Sequence, residues 1–145
     1  MQRLRTRSQF QAVLGGTTVA RTPHFALHRV ALVSAETLPH TEAHEAPADT
    51  MTQLFDIPEV WMGAMVPKRW ARRAVTRNTI KRQIYSVSLA IEAAIPVAAH
   101  VVRLRASFQR ELFKSATSDV LKRTVRQEIE QLFSKMALSA AEIRT

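Results

Sequence analysis

Residues 68–82 carry the strongest chemical signal in the chain, because cations fill this segment and acids are absent from it. Its sequence is KRWARRAVTRNTIKR, in which seven of fifteen residues are Lys or Arg and none is Asp or Glu. Such side chains neutralise phosphate groups, and the arginine fork makes strong charge-assisted hydrogen bonds to phosphate oxygens. The segment therefore predicts a surface that binds a polyanion. The candidate binding residues are Lys68, Arg69, Arg72, Arg73, Arg77, Asn78, Lys81 and Arg82.

A long helix over about residues 71–95 is expected to position these cations. Its apolar stripe recurs every three or four residues, at Ile80, Ile84, Val87, Ile91 and Ile95, and Pro96 ends the pattern. Such a stripe predicts an amphipathic helix with one face in the core. Arg77 and Lys81 then lie on the exposed face, and replacing either is expected to leave the core intact. Like charges at this spacing repel each other, so a bound polyanion would stabilise the helix.

Two other interpretations of the basic segment fit less well. A solvated helix face normally mixes both signs of charge, and this segment has one sign only. A helix lying on a membrane surface needs a free and bulky apolar face. Here the stripe is mostly β-branched and suits packing against a sheet.

The charge of the whole chain supports a polyanion partner. The 145 residues contain 21 Lys and Arg against 12 Asp and Glu, a formal net charge of +9, and the sequence pI is about 11.2. Six of the twelve acids fall in residues 34–59, which contain no Lys or Arg. The rest of the chain therefore has 21 basic and 6 acidic residues, a balance of +15. A basic domain of this kind is typical of nucleic-acid-binding proteins.

Hydrophobic patterning predicts an α+β fold in one domain that spans residues 1–145 and carries the expected polyanion-binding surface. A capping box at Ser8-Gln9-Phe10-Gln11 begins a short helix, which Gly15-Gly16 ends. In the strand at 24–33, Phe25 and Leu27 alternate with His24, Ala26 and His28. Further elements are expected as strands at 60–66, at 100–106 and, short, at 17–21, and as a last helix from Ser118. The order α-β-β-α-β-α predicts a three- to four-stranded sheet with helices mainly on one face.

Residues 34–59 differ from the rest of the chain. They contain three prolines and six acids and show no periodicity, which predicts an acidic loop inserted in the domain. His40 and His44 lie there beside Glu42 and Glu45, but loop histidines without cysteine are weak evidence for a metal site, and none is predicted. Three glycines allow no glycine-rich phosphate loop, and the chain offers no catalytic set of its own.

The basic segment resembles the signature helix of the bacterial ribonuclease P protein subunit. Arg77-Asn78-Thr79-Ile80-Lys81-Arg82 is similar to the family's arginine–asparagine–arginine motif, and Lys68-Arg69 and Arg72-Arg73 stand where the family carries basic pairs. The order of the elements agrees over the whole chain except roughly 34–58. The sequence departs from the family pattern at four positions. Thr79 and Tyr85 stand where arginines are usual, and Leu14 and His28 where aromatic residues are frequent.

The resemblance implies a protein cofactor to a catalytic RNA that removes the 5′ leader from precursor tRNA. It implies that Arg77, Asn78, Lys81 and Arg82 hold this RNA and order magnesium, which the RNA mainly binds. It also implies a left-handed β-α-β crossover and a leader cleft between the first helix and the open sheet face. Arg105 matches a family arginine and is a further candidate RNA-binding residue, whereas Arg103 does not match. The cleft positions are Phe10, Leu14, Phe25, His28 and Tyr85, and ordinary core packing is the alternative for Phe10 and for Phe25.

The expected partners are therefore the catalytic RNA and the precursor tRNA leader, with one copy of the protein in each ribonucleoprotein and no membrane. The absence of cysteine permits a cytoplasmic location. The alternative is a structural RNA-binding protein, similar to a ribosomal protein, with no role in catalysis. Phe10 beside a cleft favours the first interpretation, since an aromatic ring offers a stacking surface for an unpaired base.

Overall fold

The computed structural model describes residues 1–32, 54–108 and 119–144, with the side chains of the last helix described as far as residue 137. These residues form five strands, three α-helices and one 3-10 turn. In chain order they are β1 (Gln2–Arg3), α1 (Arg7–Leu14), β2 (Thr17–Arg21), β3 (Phe25–Val30), β4 (Trp61–Met65), α2 (Ala74–Ala90), the 3-10 turn (Glu92–Ala94), β5 (Ala99–Leu104) and α3 (Asp119–Arg144).

The strands form one mixed sheet in the order β1-β4-β5-β3-β2. β4 runs parallel to both β1 and β5, while β3 pairs antiparallel with β5 and β2. The predicted α+β class is confirmed, but the sheet has five strands where three to four were expected. The strand that the sequence missed is β1, which is too short to show alternation. Backbone bonds hold it to β4, from Gln2 N to Val60 O at 2.8 Å and from Leu4 N to Met62 O at 3.1 Å.

Two helices cover one face of the sheet, and α1 packs on the other. The first face, here called the α2–α3 face, is a large core in which Phe25, Leu27 and Met62 meet Ile84 of α2 and Ile129 of α3. The second, called the α1 face, is a smaller cluster. It contains Leu4, Val13, Leu32, Phe55, Trp61, Ala99 and Val101. The prediction of helices mainly on one face is therefore confirmed.

Helix α2 is shorter than its apolar stripe suggested, because it begins at Ala74 and ends at Ala90. Before it, the backbone nitrogens of Trp70 and Ala71 both donate to Pro67 O at 3.1 Å, which makes a tight turn. After it, the 3-10 turn carries the chain to the buried Ile95. The stripe nevertheless packs as predicted, with Ile80, Ile84 and Val87 buried. This helix joins the neighbouring parallel strands β4 and β5, and the left-handed sense of that crossover stays a prediction.

The N-terminal cap of α1 lies two residues before the predicted one. Thr6 Oγ1 accepts a hydrogen bond from Gln9 N at 3.2 Å, and Gln9 Oε1 accepts one from Thr6 N at 3.1 Å. The sequence offers the same pattern twice, at Thr6-x-x-Gln9 and at Ser8-x-x-Gln11. The first is used, and Gln9 Nε2 also donates to Leu54 O at 2.8 Å.

The end of the predicted acidic loop belongs to the core. Phe55 is 3% exposed and meets the ring of Trp61 edge-on at 5.4 Å, and Trp61 Nε1 donates to Ile57 O at 2.9 Å. Phe55, near the end of the predicted loop at residues 34–59, therefore packs in the core and anchors the return to β4. Residues 33–53 lie outside the described residues. No helix in the described part of the chain is long and apolar enough to cross a membrane.

Candidate nucleic-acid interface

The predicted cations form one surface at the start of α2, here called the basic face. Its members are Lys68, Arg69, Arg72, Arg73, Arg77, Asn78, Lys81 and Arg82. Most are exposed, while Arg77 and Lys81 are half-buried. Arg73 is the N-cap residue of α2, in extended conformation, and the helix itself begins at Ala74. Within the described residues, none of these cations lies within ion-pair distance of a carboxylate. The face is therefore open to an external anion.

Arg77 has a structural role that the sequence did not show. One of its terminal nitrogens, Nη1, donates to Ala71 O at 3.1 Å and to Arg72 O at 2.8 Å. This nitrogen therefore fixes the turn that leads into α2. Because the same turn carries Arg72 and Arg73, Arg77 sets the position of two other candidate binding residues. The expectation that Arg77 is only an exposed contact was incomplete.

Thr79 stands where the family pattern usually has an arginine, and it is buried rather than exposed on the basic face. Its side chain is 7% exposed, and its hydroxyl donates to Val75 O at 2.9 Å within the helix. The residue therefore presents no charge to a ligand. Its neighbour Asn78 is exposed and remains on the basic face.

Tyr85 does not lie in the predicted cleft. Its hydroxyl accepts a hydrogen bond from Ala64 N at 3.2 Å, and its ring packs against the core of the α2–α3 face. The guanidinium carbon of Arg3 lies 4.1 Å from the centre of this ring. The cleft assignment of Tyr85 was wrong because α2 and α1 pack on opposite faces of the sheet. Arg3 is a missed cation, and the acid-free start of the chain was its only sequence signal.

Phe10 and Leu14 lie on the α1 face, as predicted, and both are half-buried. The ring of Phe10 lies against Gly63 of β4. A Cβ atom built on Gly63 would come within 2.7 Å of Phe10 Cε1, so only glycine lets the ring approach this closely. The half-buried ring of Phe10 is thus fixed against the sheet.

Phe25 lies on the wrong face for the cleft. It is 0% exposed in the core of the α2–α3 face, where its ring centre is 6.0 Å from that of Phe108. Successive side chains of a strand point to opposite faces, so residues 25 and 28 cannot share one. His28 is the strand residue that faces α1, opposite Val101 in the register of β3 and β5. The assignment of Phe25 to the cleft is therefore corrected to core packing.

A second missed cation, Arg103, lies next to His28 on the α1 face. Arg103 Nε donates to His28 Nε2 at 3.2 Å, and His28 Nδ1 lies 3.2 Å from Thr18 Oγ1. Burial lowers the pKa of His28 below its usual value, and the positive charges of Arg103 and Arg21 lower it further. The strand predicted at 100–106 is present as β5, but the prediction could not show that Arg103 faces this cluster.

Arg105 is exposed and follows the last residue of β5, and its backbone nitrogen donates to His24 O at 2.8 Å. Its Nη1 donates to Thr22 O at 2.8 Å and to Pro23 O at 3.2 Å, which ties β5 to the turn between β2 and β3. The same turn is held by Glu128 of α3, which accepts bonds from Thr22 Oγ1 at 2.6 Å and from His24 N at 2.7 Å. Glu128 therefore has a structural role that its mixed-charge helix did not suggest.

Metal ligands are sparse in the described part of the chain. Its residues contain no group of three or more His, Cys, Asp or Glu side chains that could hold a metal ion. His40 and His44, with Glu42 and Glu45, lie outside the described residues.

Comparison with known proteins decides the family. The family described as ribonuclease P matches residues 1–137. The ribonuclease P protein component of Bordetella parapertussis is 34% identical over 135 residues, which are 93% of this chain and 91% of that one. The chain belongs to the ribonuclease P protein family. The ribonuclease P protein component of Trichormus variabilis is 37% identical over 83 residues, which are 57% of this chain and 57% of that one.

Structural comparison agrees with this assignment. The ribonuclease P protein of Staphylococcus aureus superposes with a TM-score of 0.60 and 17% identity, over 92% of this chain and 94% of that one. At this identity the likeness shows the fold alone. Family membership makes the chain a protein subunit of the RNA–protein endoribonuclease that matures the 5′ end of tRNA, with an RNA partner. The alternative of a structural RNA-binding protein without a link to catalysis is thereby set aside.

Proposed function

We propose that the chain binds the catalytic RNA of ribonuclease P through its basic face and the 5′ leader of precursor tRNA through its α1 face. The observation that carries the proposal is the unpaired, single-sign basic face around α2. Each phosphate that such a face neutralises releases counterions, which drives binding without sequence preference. The protein would act in the cytoplasm, as one copy in each ribonucleoprotein.

The α1 face supports the leader part of the proposal. Phe10 presents a half-buried ring that is fixed against Gly63, and a base stacked on a fixed ring gains binding energy whatever its identity. This tolerance suits leaders of variable sequence. His28 and Arg103 lie on the same face and supply polar groups beside the ring.

Magnesium belongs to the RNA in this proposal. Lys68, Arg72 and Arg82 are exposed cations, and a surface of this sign repels a divalent cation but neutralises the phosphates around it. The metal would supply the chemistry of cleavage, as metals do by activating water. The residues of this chain would bind and orient RNA, and less magnesium would then be needed to fold it.

Reconstitution with the catalytic RNA tests the proposal. Wild-type protein should accelerate leader removal most at low magnesium. If the basic face neutralises some six to ten phosphates, RNA affinity should fall by about 10³–10⁵ between about 50 and 200 mM salt.

The double variant Lys81→Ala/Arg82→Ala should bind the catalytic RNA more weakly, with a salt slope shallower by roughly one for each lost contact. Lys122→Ala/Arg126→Ala, which removes two exposed charges from α3, is the matched control and should bind as the wild type does. A salt slope near zero for the wild type, or equal weakening by the control, would contradict the proposal.

A further inference from the structure

Three neighbouring strands contribute one hydrogen-bonded row to the α1 face. β5, β3 and β2 are adjacent in the sheet, and they carry Arg103, His28 and Thr18. Arg103 pairs in register with Ala26, and His28 with Val101, so the two side chains are diagonal neighbours. Bonds of 3.2 Å join Arg103 Nε to His28 Nε2 and His28 Nδ1 to Thr18 Oγ1.

The donors in this row fix where the proton of His28 lies. A guanidinium group only donates, so His28 Nε2 must accept and carries no proton. The proton of the neutral ring is then on Nδ1, which donates to Thr18 Oγ1. Burial and the charges of Arg103 and Arg21 both lower the pKa of this imidazole, in agreement with a neutral ring. Thr18 thus fixes His28, and His28 fixes Arg103.

This arrangement orients Arg103 without neutralising it. A carboxylate at position 28 would hold the guanidinium more firmly, but it would cancel the charge. A neutral imidazole leaves the full positive charge in place. No described residue accepts a hydrogen bond from the terminal nitrogens of Arg103 or forms an ion pair with it. The arginine is half-buried, and its fork remains free for an anion.

The position of Arg103 relative to Phe10 suits a nucleotide. Phe10 lies against Gly63, and Gly63 pairs with Val101, two residues before Arg103 on β5. A diagonal step of this kind separates the two backbone positions by roughly 7 Å. A base that stacks on Phe10 would therefore place a neighbouring phosphate within reach of the long arginine side chain.

We propose that Arg103 binds a phosphodiester group of single-stranded RNA on the α1 face, and that His28 and Thr18 are positioning residues for its guanidinium. This inference rests on the proposed function, because the RNA strand in question is the precursor leader. It adds a phosphate contact to the stacking contact of Phe10, in a residue that does not match the family pattern.

The test uses the reconstituted ribonucleoprotein and compares precursor tRNA that carries a leader with mature tRNA. Arg103→Gln should weaken binding of the leader-bearing RNA about 10- to 100-fold, the usual range for a lost charge-assisted hydrogen bond. Binding of mature tRNA and of the catalytic RNA should not change. Arg126→Gln removes one positive charge from α3 instead, and it should change the binding of none of these RNAs. A leader with a single uncharged methylphosphonate linkage should bind the wild type more weakly than the unmodified leader does. The same modification should not weaken binding to Arg103→Gln, because the contact is already absent from that variant.

The outcomes separate this inference from the function on which it rests. If the wild type shows no preference for leader-bearing RNA, the proposed function fails. If the wild type shows the preference and Phe10→Ala reduces it, while Arg103→Gln binds normally, the inference alone is overturned. Equal weakening of leader-bearing and mature RNA by Arg103→Gln would also overturn it, because the charge would then act at long range.

A double-mutant cycle tests the positioning role of His28. His28→Phe keeps a ring but removes the acceptor, so leader binding should weaken several-fold. In the Arg103→Gln background the same change should have no further effect, since residues that act through one another are not additive. His28→Gln supplies a carbonyl acceptor and should restore part of the affinity. Additive losses, with normal thermal unfolding of both variants, would contradict the positioning role.

Discussion

Arg77 donates a hydrogen bond of 2.8 Å from its guanidinium to the backbone carbonyl oxygen of Arg72. The same nitrogen reaches Ala71 O at 3.1 Å. One arginine of the basic face therefore shapes the backbone that carries its neighbours. The finding separates Arg77 from Lys81, although the two residues lie one helical turn apart.

Arg77→Ala should reduce both stability and binding to the catalytic RNA, whereas Lys81→Ala should reduce binding only. Lost hydrogen bonds of this kind cost about 1 kcal/mol. Lys81 makes no such bond within the described residues, and surface substitutions of that kind stay within about 0.5 kcal/mol. Urea unfolding measures the first effect, and RNA titration at fixed salt measures the second. Arg77→Ala should weaken RNA binding more than Lys81→Ala, because Arg72 and Arg73 lose their position. Equal unfolding free energies for the two variants would refute the structural role.

Gly63→Ala should impair leader binding without changing Phe10 itself. The added Cβ would lie 2.7 Å from Phe10 Cε1 and 3.1 Å from Leu4 Cβ, so the ring must move off the sheet. The effect on leader affinity should approach that of Phe10→Ala, about 1–3 kcal/mol if a base stacks there.

The double variant Phe10→Ala/Gly63→Ala should be more stable than the sum of the single changes predicts, since the clash is gone. Thermal unfolding beside leader binding checks both statements. Additive stabilities would show that Gly63 and Phe10 do not constrain each other.

Periodicity identified the elements of this fold better than it identified the faces they present. The stripe of α2 and the alternation of β3 were both visible in the sequence. Alternation alone also excludes Phe25 and His28 from one face, and the cleft assignment of Phe25 overlooked that rule. Which of the two faces meets α1 could not be predicted, because it depends on how the helices return to the sheet.

Contacts between distant residues were invisible to sequence reasoning for a physical reason. Arg103 and His28 are 75 residues apart, and Glu128 reaches Thr22 across 106 residues. A single sequence contains no signal that pairs them. The family resemblance identified the residues of the basic face, but it gave no role to Arg103 and placed Tyr85 in the cleft. A resemblance matches sequence positions, and it does not show which residues surround each position in this chain.

Phe55→Ala should destabilise the protein strongly, although residue 55 lies in what the composition marks as an acidic loop. The side chain is 3% exposed and packs on Trp61. Truncation of a buried phenylalanine costs about 3–5 kcal/mol. Ile57→Ala is the matched control, because Ile57 is 38% exposed and should lose much less. Urea unfolding of both variants measures the difference. Similar small losses of unfolding free energy in both variants would show that Phe55 is not part of the core.

Stability should fall as the pH drops below about 6.5, and His100 should account for much of the loss. This residue is 0% exposed; its Nε2 accepts from Arg29 Nε at 3.1 Å, and its Nδ1 lies 3.2 Å from Trp61 O. Burial, and then the charge of Arg29, lowers the pKa of His100 to about 4. In the unfolded chain the pKa returns to about 6.5.

Between these two values the unfolded chain holds a proton that the folded protein does not, so acid favours unfolding. Each pH unit in this window costs about 1.4 kcal/mol, or about 2 kcal/mol between pH 6.5 and about pH 5. Urea unfolding of the wild type and of His100→Gln at about pH 7 and about pH 5 measures the effect. The wild type should lose more stability than the variant. The lowered pKa of His28 acts in the same direction, so His100→Gln should keep a smaller dependence of stability on pH. Adding His28→Gln would remove the contribution of His28 to that dependence. Identical pH dependence in the wild type and in His100→Gln would show that His100 is not the group that acid protonates on unfolding.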